Sequence, residues 1–308
     1  MRNNGDQAAG LRAMQMRQGA RIIAVNGCAG AGRTSVVVNL AAALSQHGER
    51  VLVVDENLGR TLNGLLGVNA RYDLLHFLQH EKTLAQVVVA GSGGIAVLPA
   101  ARGLRVMARA QANVREQQRM SASLLALLDN YDTLLVDSAT EVGAVGAAQQ
   151  LGGKGKCEKC LVMSTGAEAI RATYTLIKRL HEQDGRNDFQ VIINKAHDQA
   201  AASAAFDNLR VTARRYLGVF LELAGVIPQD GKLARATSRA KPVVEAYPGS
   251  FSALAFRRIA ISLGQSKSSQ REDEMAQLFS LWGQQPVGYT LAVKRIIGEA
   301  LCIPTPVR

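Results

Sequence analysis

The residues best able to do chemistry lie in one short run, Gly27-Cys28-Ala29-Gly30-Ala31-Gly32-Arg33-Thr34-Ser35. Glycines at 27, 30 and 32 give the backbone the freedom to turn tightly. Where such a turn opens a helix, its exposed N–H groups and the helix dipole favour an anionic phosphate. On this reading Gly27, Gly30, Ala31 and Gly32 form the cradle, closed by Arg33, Thr34 and Ser35. Arg33 supplies positive charge and the Thr34 hydroxyl reaches Mg²⁺. The usual loop has Lys at position 33, so the match is imperfect, and the run alone could be an ordinary tight turn. Its flanks favour the phosphate reading, because apolar RIIAV precedes it and helix-spaced TSVVVNLAAAL follows.

Two carboxylates sit at matching places. Asp55 ends VLVVD and Asp137 ends TLLVD. Carboxylates at strand ends beside such a loop organise the Mg²⁺ shell. Either one alone could equally be a helix cap.

These residues need a scaffold that brings strand ends together. Apolar runs predict strands at Arg21–Asn26, Arg50–Asp55, Gly94–Leu98, Tyr131–Asp137, Cys160–Ser164, Phe189–Asn194 and Glu222–Val226. Helical spacing predicts helices at Thr34–His47, Val114–Leu128, Ala167–Glu182, Ala200–Leu217 and Ser250–Leu263. The alternation predicts an α/β fold, a mostly parallel sheet with helices on both faces. Ligands in such folds sit at the carboxyl ends of the strands, where Gly27, Asp55, Asp137 and Asn194 fall. The polar stretch GQSKSSQ reads as a linker. The expected organisation is therefore an N-terminal segment over 1–20, a nucleotide-binding domain over 21–263 and a tail over 264–308.

Composition narrows the class. The 308 residues are 47% hydrophobic and 20% charged, as expected of a globular chain with a sizeable core. No apolar run is long enough to span a bilayer, and no signal-type apolar segment stands at the N-terminus. Four cysteines are too few for a disulfide scaffold, so a reducing cytoplasm is expected. A net charge of +11 favours an anionic partner, whether nucleic acid, an acidic protein face or a membrane surface.

The loop, then VLVVDENLG, LLVDSAT, VIINKA and GVIPQD, are similar to the ordered motifs of the MinD/ParA-type ATPases with a deviant Walker A loop. Within that group the chain resembles the flagellar-number regulators of the FlhG/FleN type. The N-terminal DQAAGLR, the stretch VNLAAALSQHGERVLVVDENLGRTLNGLLGV and the closing KPVVEAYPGSFSALAFRRIA bear that likeness, which spans about residues 6 to 263. It implies an ATP-driven switch that dimerises on two ATP molecules. Asn194 would contact the adenine edge, and the Gly225–Asp230 loop, including Pro228, would flank the base. Asp6, Gln7, Leu11 and Arg12 would touch and stimulate a flagellar GTPase of the signal-recognition type. Other implied partners are a flagellar transcriptional activator, a flagellar switch (C-ring) protein and, peripherally, the inner membrane at the cell pole.

Three departures bear on activity. The family's signature lysine, which crosses the dimer interface, is Cys28 here. The loop lysine is Arg33, whose planar fork is not interchangeable with an ammonium. The second acid of the family's DxD, which orients the attacking water, is Asn57. Phosphoryl transfer rests on positioned charge and an oriented nucleophile, so slow or absent hydrolysis is expected.

The remaining signals have bland readings beside sharper ones. Cys157 and Cys160 form a CxxC with no second ligand pair, so strand-edge thiols are expected rather than a metal site. The five histidines show no metal-ligand spacing. Arg210, Arg214 and Arg215 share one helix, either as a solvated face or as a surface for nonspecific DNA, the ParA-type alternative. Tyr289, Val293, Ile296, Ile297, Ala300 and Leu301 recur at helical spacing beside Lys294 and Arg295. That pattern fits an interfacial amphipathic helix or one packed on the domain.

Overall fold

The computed structural model describes residues 20–59, 61–109, 119, 122–124, 126–139 and 157–263. In chain order the elements are β1 (Arg21–Gly27), α1 (Arg33–Gln46), β2 (Val51–Asp55), α2 (Thr61–Leu66), α3 (Leu74–Leu78), α4 (Leu84–Val87), β3 (Val89–Ala90), β4 (Ala96–Pro99), α5 (Ala101–Arg109) and β5 (Thr133–Asp137). They continue with β6 (Cys157–Met163), α6 (Ala167–Asp184), β7 (Asp188–Ala196), α7 (Gln199–Leu217), β8 (Phe220–Pro228), α8 (Gly231–Ser238), α9 (Val243–Ala246) and α10 (residues 251–263).

The eight strands form one sheet in the order β3-β4-β2-β5-β1-β6-β7-β8. All pairings are parallel except the short β3 against β4. The sequence dictates this. β2 and β5 are buried at every position, and β1 at all but Arg21. Strands with no solvent face must be covered on both sides. One face packs its Leu and Val side chains against α3, α4 and α5, centred on Leu74, Phe77 and Leu104. On the β6–β7 side, Leu161, Val191 and Ile193 pack against α6 and α7 through Ile177, Phe206 and Leu209. Helix α1 is buried along Val36 to Leu44, as an almost wholly apolar helix must be.

Successive strands run from β1 towards β4 and return through β5, and β6 starts the other wing. The loop after β1 therefore opens at the topological switch point, where ligands sit in open α/β sheets. Register does the rest, because Asp137 lies opposite both Val25 and Asp55. The two carboxylates and the start of the glycine loop meet at one corner.

The expected strands are all present, with ends moved by a few residues. The largest shift is in β6, which begins at Cys157, so Cys157 stands at the end of the strand as expected and Cys160 lies within it. The helices α2, α3, α4, α5, α8 and α9 and the strand β3 were not foreseen; all but the nine-residue α5 and the eight-residue α8 are two turns or shorter and leave no period to read. The expected helix Val114–Leu128 lies partly outside the described residues, and 122–124 and 126–128 are helical. The chain divides into units Met1–Ile261 and Ser262–Arg308. Asp6, Gln7, Leu11, Arg12 and the tail from Gly264 lie outside the described residues. Among the described residues no helix is long and apolar enough to cross a membrane.

Candidate functional site

The glycine loop is built as its sequence implies. Gly30 and Gly32 have φ of 77° and 82°, a region that side chains strain. A Cβ on Gly32 would also lie 2.5 Å from Asn194 Nδ2, and one on Gly27 would lie 2.9 Å from the Val162 carbonyl. The Ala31 amide donates to Cys28 O at 3.1 Å, closing the turn. Gly32 caps α1 with no side chain over the helix end and no acid in the first turn. The first-turn N–H groups, including those at Thr34 and Ser35, are thus open to an anion without competition from a side-chain cap.

The far wall of the loop comes from β7. Asn194 is buried; its Nδ2 donates to Ala31 O at 2.8 Å and its Oδ1 accepts from the Lys195 amide. Lys195, with φ of 58°, reaches across and donates from Nζ to Gly30 O at 2.8 Å. Asn194 therefore props the loop from beneath. Sequence reasoning missed Lys195, although its place after an apolar strand and beside Asn194 was a signal. Pro228 ends β8, and the next amide, Gln229, donates to Ala196 O. Asp230 is used locally: it caps α8 through the Lys232 amide and accepts from the Ser252 amide and hydroxyl.

The opposite wall is the corner of β2 and β5. Arg33 Nε donates to Asp137 Oδ1 at 2.6 Å, Nη2 donates to Asn57 Oδ1 at 2.7 Å, and Nη1 donates to Gly27 O at 3.5 Å. Asn57 both accepts and donates. Its amide nitrogen Nδ2 gives to Asp137 O at 3.0 Å and to Asp55 Oδ1 at 3.4 Å, and its backbone N–H also serves Asp55 Oδ1. Burial pushes the Asp55 carboxyl up to about 6 and Asp137 adds repulsion, while Asn57 and Arg33 pull the other way. Glu56 is held apart by the Ala139 amide.

Sequence reasoning expected Thr34, Asp55 and Asp137 to hold Mg²⁺. Magnesium needs near-octahedral oxygen ligands at about 2.0–2.1 Å and tolerates little distortion. Here a guanidinium already neutralises Asp137, and the position of the family's second acid is an amide. The corner fits a divalent ion poorly. Asp137 Oδ2 is buried, has no hydrogen-bond partner among the described residues and is the oxygen of that carboxylate not bonded to Arg33.

Among the described residues Cys28, Cys157 and Cys160 are free thiols. Burial raises the Cys28 thiol, against contrary effects of Thr173 and Arg179, and Cys28 packs against the α6–α7 cluster. Burial pushes the Cys160 thiol up to about 12 and also raises Cys157. Among the described residues no cluster of three or more His, Cys, Asp or Glu side chains is placed to hold a metal. Arg210, Arg214 and Arg215 are exposed on α7; Arg210 pairs with Asp207, and Arg214 stacks on Phe220 at 3.6 Å.

A glycine loop opening a buried helix at a switch point, with two strand-end carboxylates beside it, defines the P-loop nucleotide-binding class. Residues 20–164 match the AAA domain family model. The chain is 33% identical over 247 residues to the antiactivator FleN of Pseudomonas aeruginosa, covering 78% of this chain and 85% of that protein. It is 31% identical over 255 residues to a putative septum site-determining protein MinD of Guillardia theta, covering 79% and 88%. The solved MinD of Pyrococcus horikoshii, in complex with Mg-ADP, superposes with a TM-score of 0.61 at 22% identity, covering 81% and 98%. The chain belongs to the MinD/ParA-type P-loop ATPase family, close to FleN.

Proposed function

We propose that this chain is a MinD-like nucleotide-binding switch that controls flagellar number or placement through partner proteins and hydrolyses ATP slowly or not at all. The closure of Arg33 on Asp137 and Asn57 is the observation behind the weak hydrolysis. The groups that would polarise phosphate and orient water are bound to one another, and Cys28 has no charge to lend a partner copy. The flagellar role is supported by the likeness to FleN, whose name as an antiactivator fits restraint of a transcriptional activator. On this reading ATP brings two copies together. Asp6, Gln7, Leu11 and Arg12 engage a flagellar GTPase of the signal-recognition type, and a flagellar C-ring protein is a further partner. The tail beyond Gly264 touches the inner membrane at the pole of the cell.

The test is a titration of the purified chain with Mg²⁺-ATP beside a phosphate-release assay. Saturable binding with release at background is expected; turnover at the family's ordinary level would sink the degenerate half. Deleting residues 1–18 should abolish stimulation of the GTPase, and liposome co-sedimentation with and without 264–308 tests the tail. A DNA-partitioning role is favoured by one observation, the exposed arginines of α7. An ATP-dependent gel shift on nonspecific DNA would support that role instead.

A further inference from the structure

Arg33 and Asn57 look like two separate losses in the sequence, but the structure makes them one device. A guanidinium offers five N–H donors in a planar fork. Three are engaged, with Asp137, Asn57 and Gly27. The other two have no partner among the described residues, and Arg33 begins the helix whose first turn faces an incoming phosphate. Asn57 completes the arrangement because an amide can accept from Arg33 while donating to Asp55 and to the Asp137 carbonyl. An aspartate at 57 could not donate, and would set a third carboxylate beside Asp55 and Asp137. A lysine at 33 has all its donors on one nitrogen and could not span Asp137, Asn57 and a phosphate oxygen together.

We propose that Arg33 takes the place of the divalent metal in this chain, tethering the charge that links the Asp137 corner to the phosphates, so that a nucleoside triphosphate binds without Mg²⁺. The proposal rests on the reading of this chain as a nucleotide-binding protein. It deepens that reading by exchanging a diffusible cofactor for a side chain. Asp137, whose side chain is wholly buried, is neutralised at 2.6 Å by Arg33, so a metal arriving there would meet a cation in place.

The experiment titrates the full chain with N-methylanthraniloyl-ATP in Mg²⁺ and, separately, in EDTA. For the wild type the two dissociation constants should agree within about threefold, a difference of about 0.7 kcal/mol. Arg33→Lys, checked for folding by circular dichroism, should lose binding about tenfold or more in EDTA relative to Mg²⁺. Wild-type binding that weakens about tenfold in EDTA would overturn the metal-free site and leave the nucleotide switch standing. An Arg33→Lys variant as indifferent to Mg²⁺ as the wild type would overturn the assignment to Arg33. Absence of binding in both buffers would overturn the proposal and the switch together. The wild-type arm decides the main point even where the variant does not fold.

Discussion

The two walls of the glycine loop are built differently. The cradle wall, formed by Gly30, Gly32 and the uncapped end of α1 and propped by Asn194 and Lys195, presents backbone N–H groups. The corner wall, at the ends of β2 and β5, is a network of side chains, Arg33, Asp137, Asn57 and Asp55, bonded to one another. The difference follows from what each function needs. Phosphate binding uses backbone N–H groups, which survive side-chain change as long as the glycines remain. Hydrolysis uses charges placed to within about an ångström, and changing one side chain redirects them.

The largest test attacks the corner. In the Arg33–Asp137 pair the side chains are 11% and 0% exposed. Removing one partner of a buried pair leaves an uncompensated charge and costs about 3–5 kcal/mol. Asp137→Ala should lower stability by that order in urea unfolding. Arg33→Met added to it should recover most of the loss, since replacing both partners removes the stranded charge. A double variant as unstable as Asp137→Ala alone would show that the corner is not a self-contained ion pair.

The next test attacks the cradle. Gly32→Ala puts a side chain at φ 82° and a Cβ against Asn194 Nδ2, whose own bond to Ala31 O resists moving. A cost of about 2 kcal/mol is expected from backbone strain, together with loss of nucleotide binding in a fluorescence titration. Binding unchanged in Gly32→Ala would break the assignment of phosphate binding to the cradle wall.

The two walls also differed in how legible they were. β1, β2 and β5 were readable because their apolar runs are uninterrupted, and the glycine loop because residue type and spacing suffice to define it. The meeting of Asp55 and Asp137 was half readable: each ends an apolar run, but only the parallel register sets them opposite one another. The Arg33 network was not readable at all. A sequence shows a lost lysine and a lost acid; only geometry shows that the replacements bond to each other across 24 residues. The contacts of Asn194 and Lys195 were hidden for the same reason, the two being 163 and 165 residues from the carbonyls they hold. The short helices α2 to α4 escaped because one or two turns leave no measurable period.

The smallest test asks whether any strand-end carboxylate would behave like Asp137. Asp230 follows β8 and looks equivalent in sequence, yet its partners are the Lys232 amide and the amide and hydroxyl of Ser252, at 2.8, 3.1 and 2.7 Å. Among the described residues no arginine pairs with it. Burial alone would raise its carboxyl, but the Ser252 hydroxyl and the two amides outweigh that and hold it below the ordinary 3.8. A carboxylate with a depressed folded pKa stabilises above its unfolded value, and the contribution fades as pH falls through the folded one. Asp230→Ala should therefore cost about 1 kcal/mol at neutral pH, the usual loss of a helix cap. The difference between wild type and variant in thermal unfolding should shrink below pH 3.8, the ordinary carboxyl value from which Asp230 is lowered. A loss at Asp230 as large as that at Asp137, or one unchanged in acid, would mean that the corner's sensitivity comes from its place at a strand end. A small loss that fades in acid assigns the sensitivity to the buried partnership with Arg33.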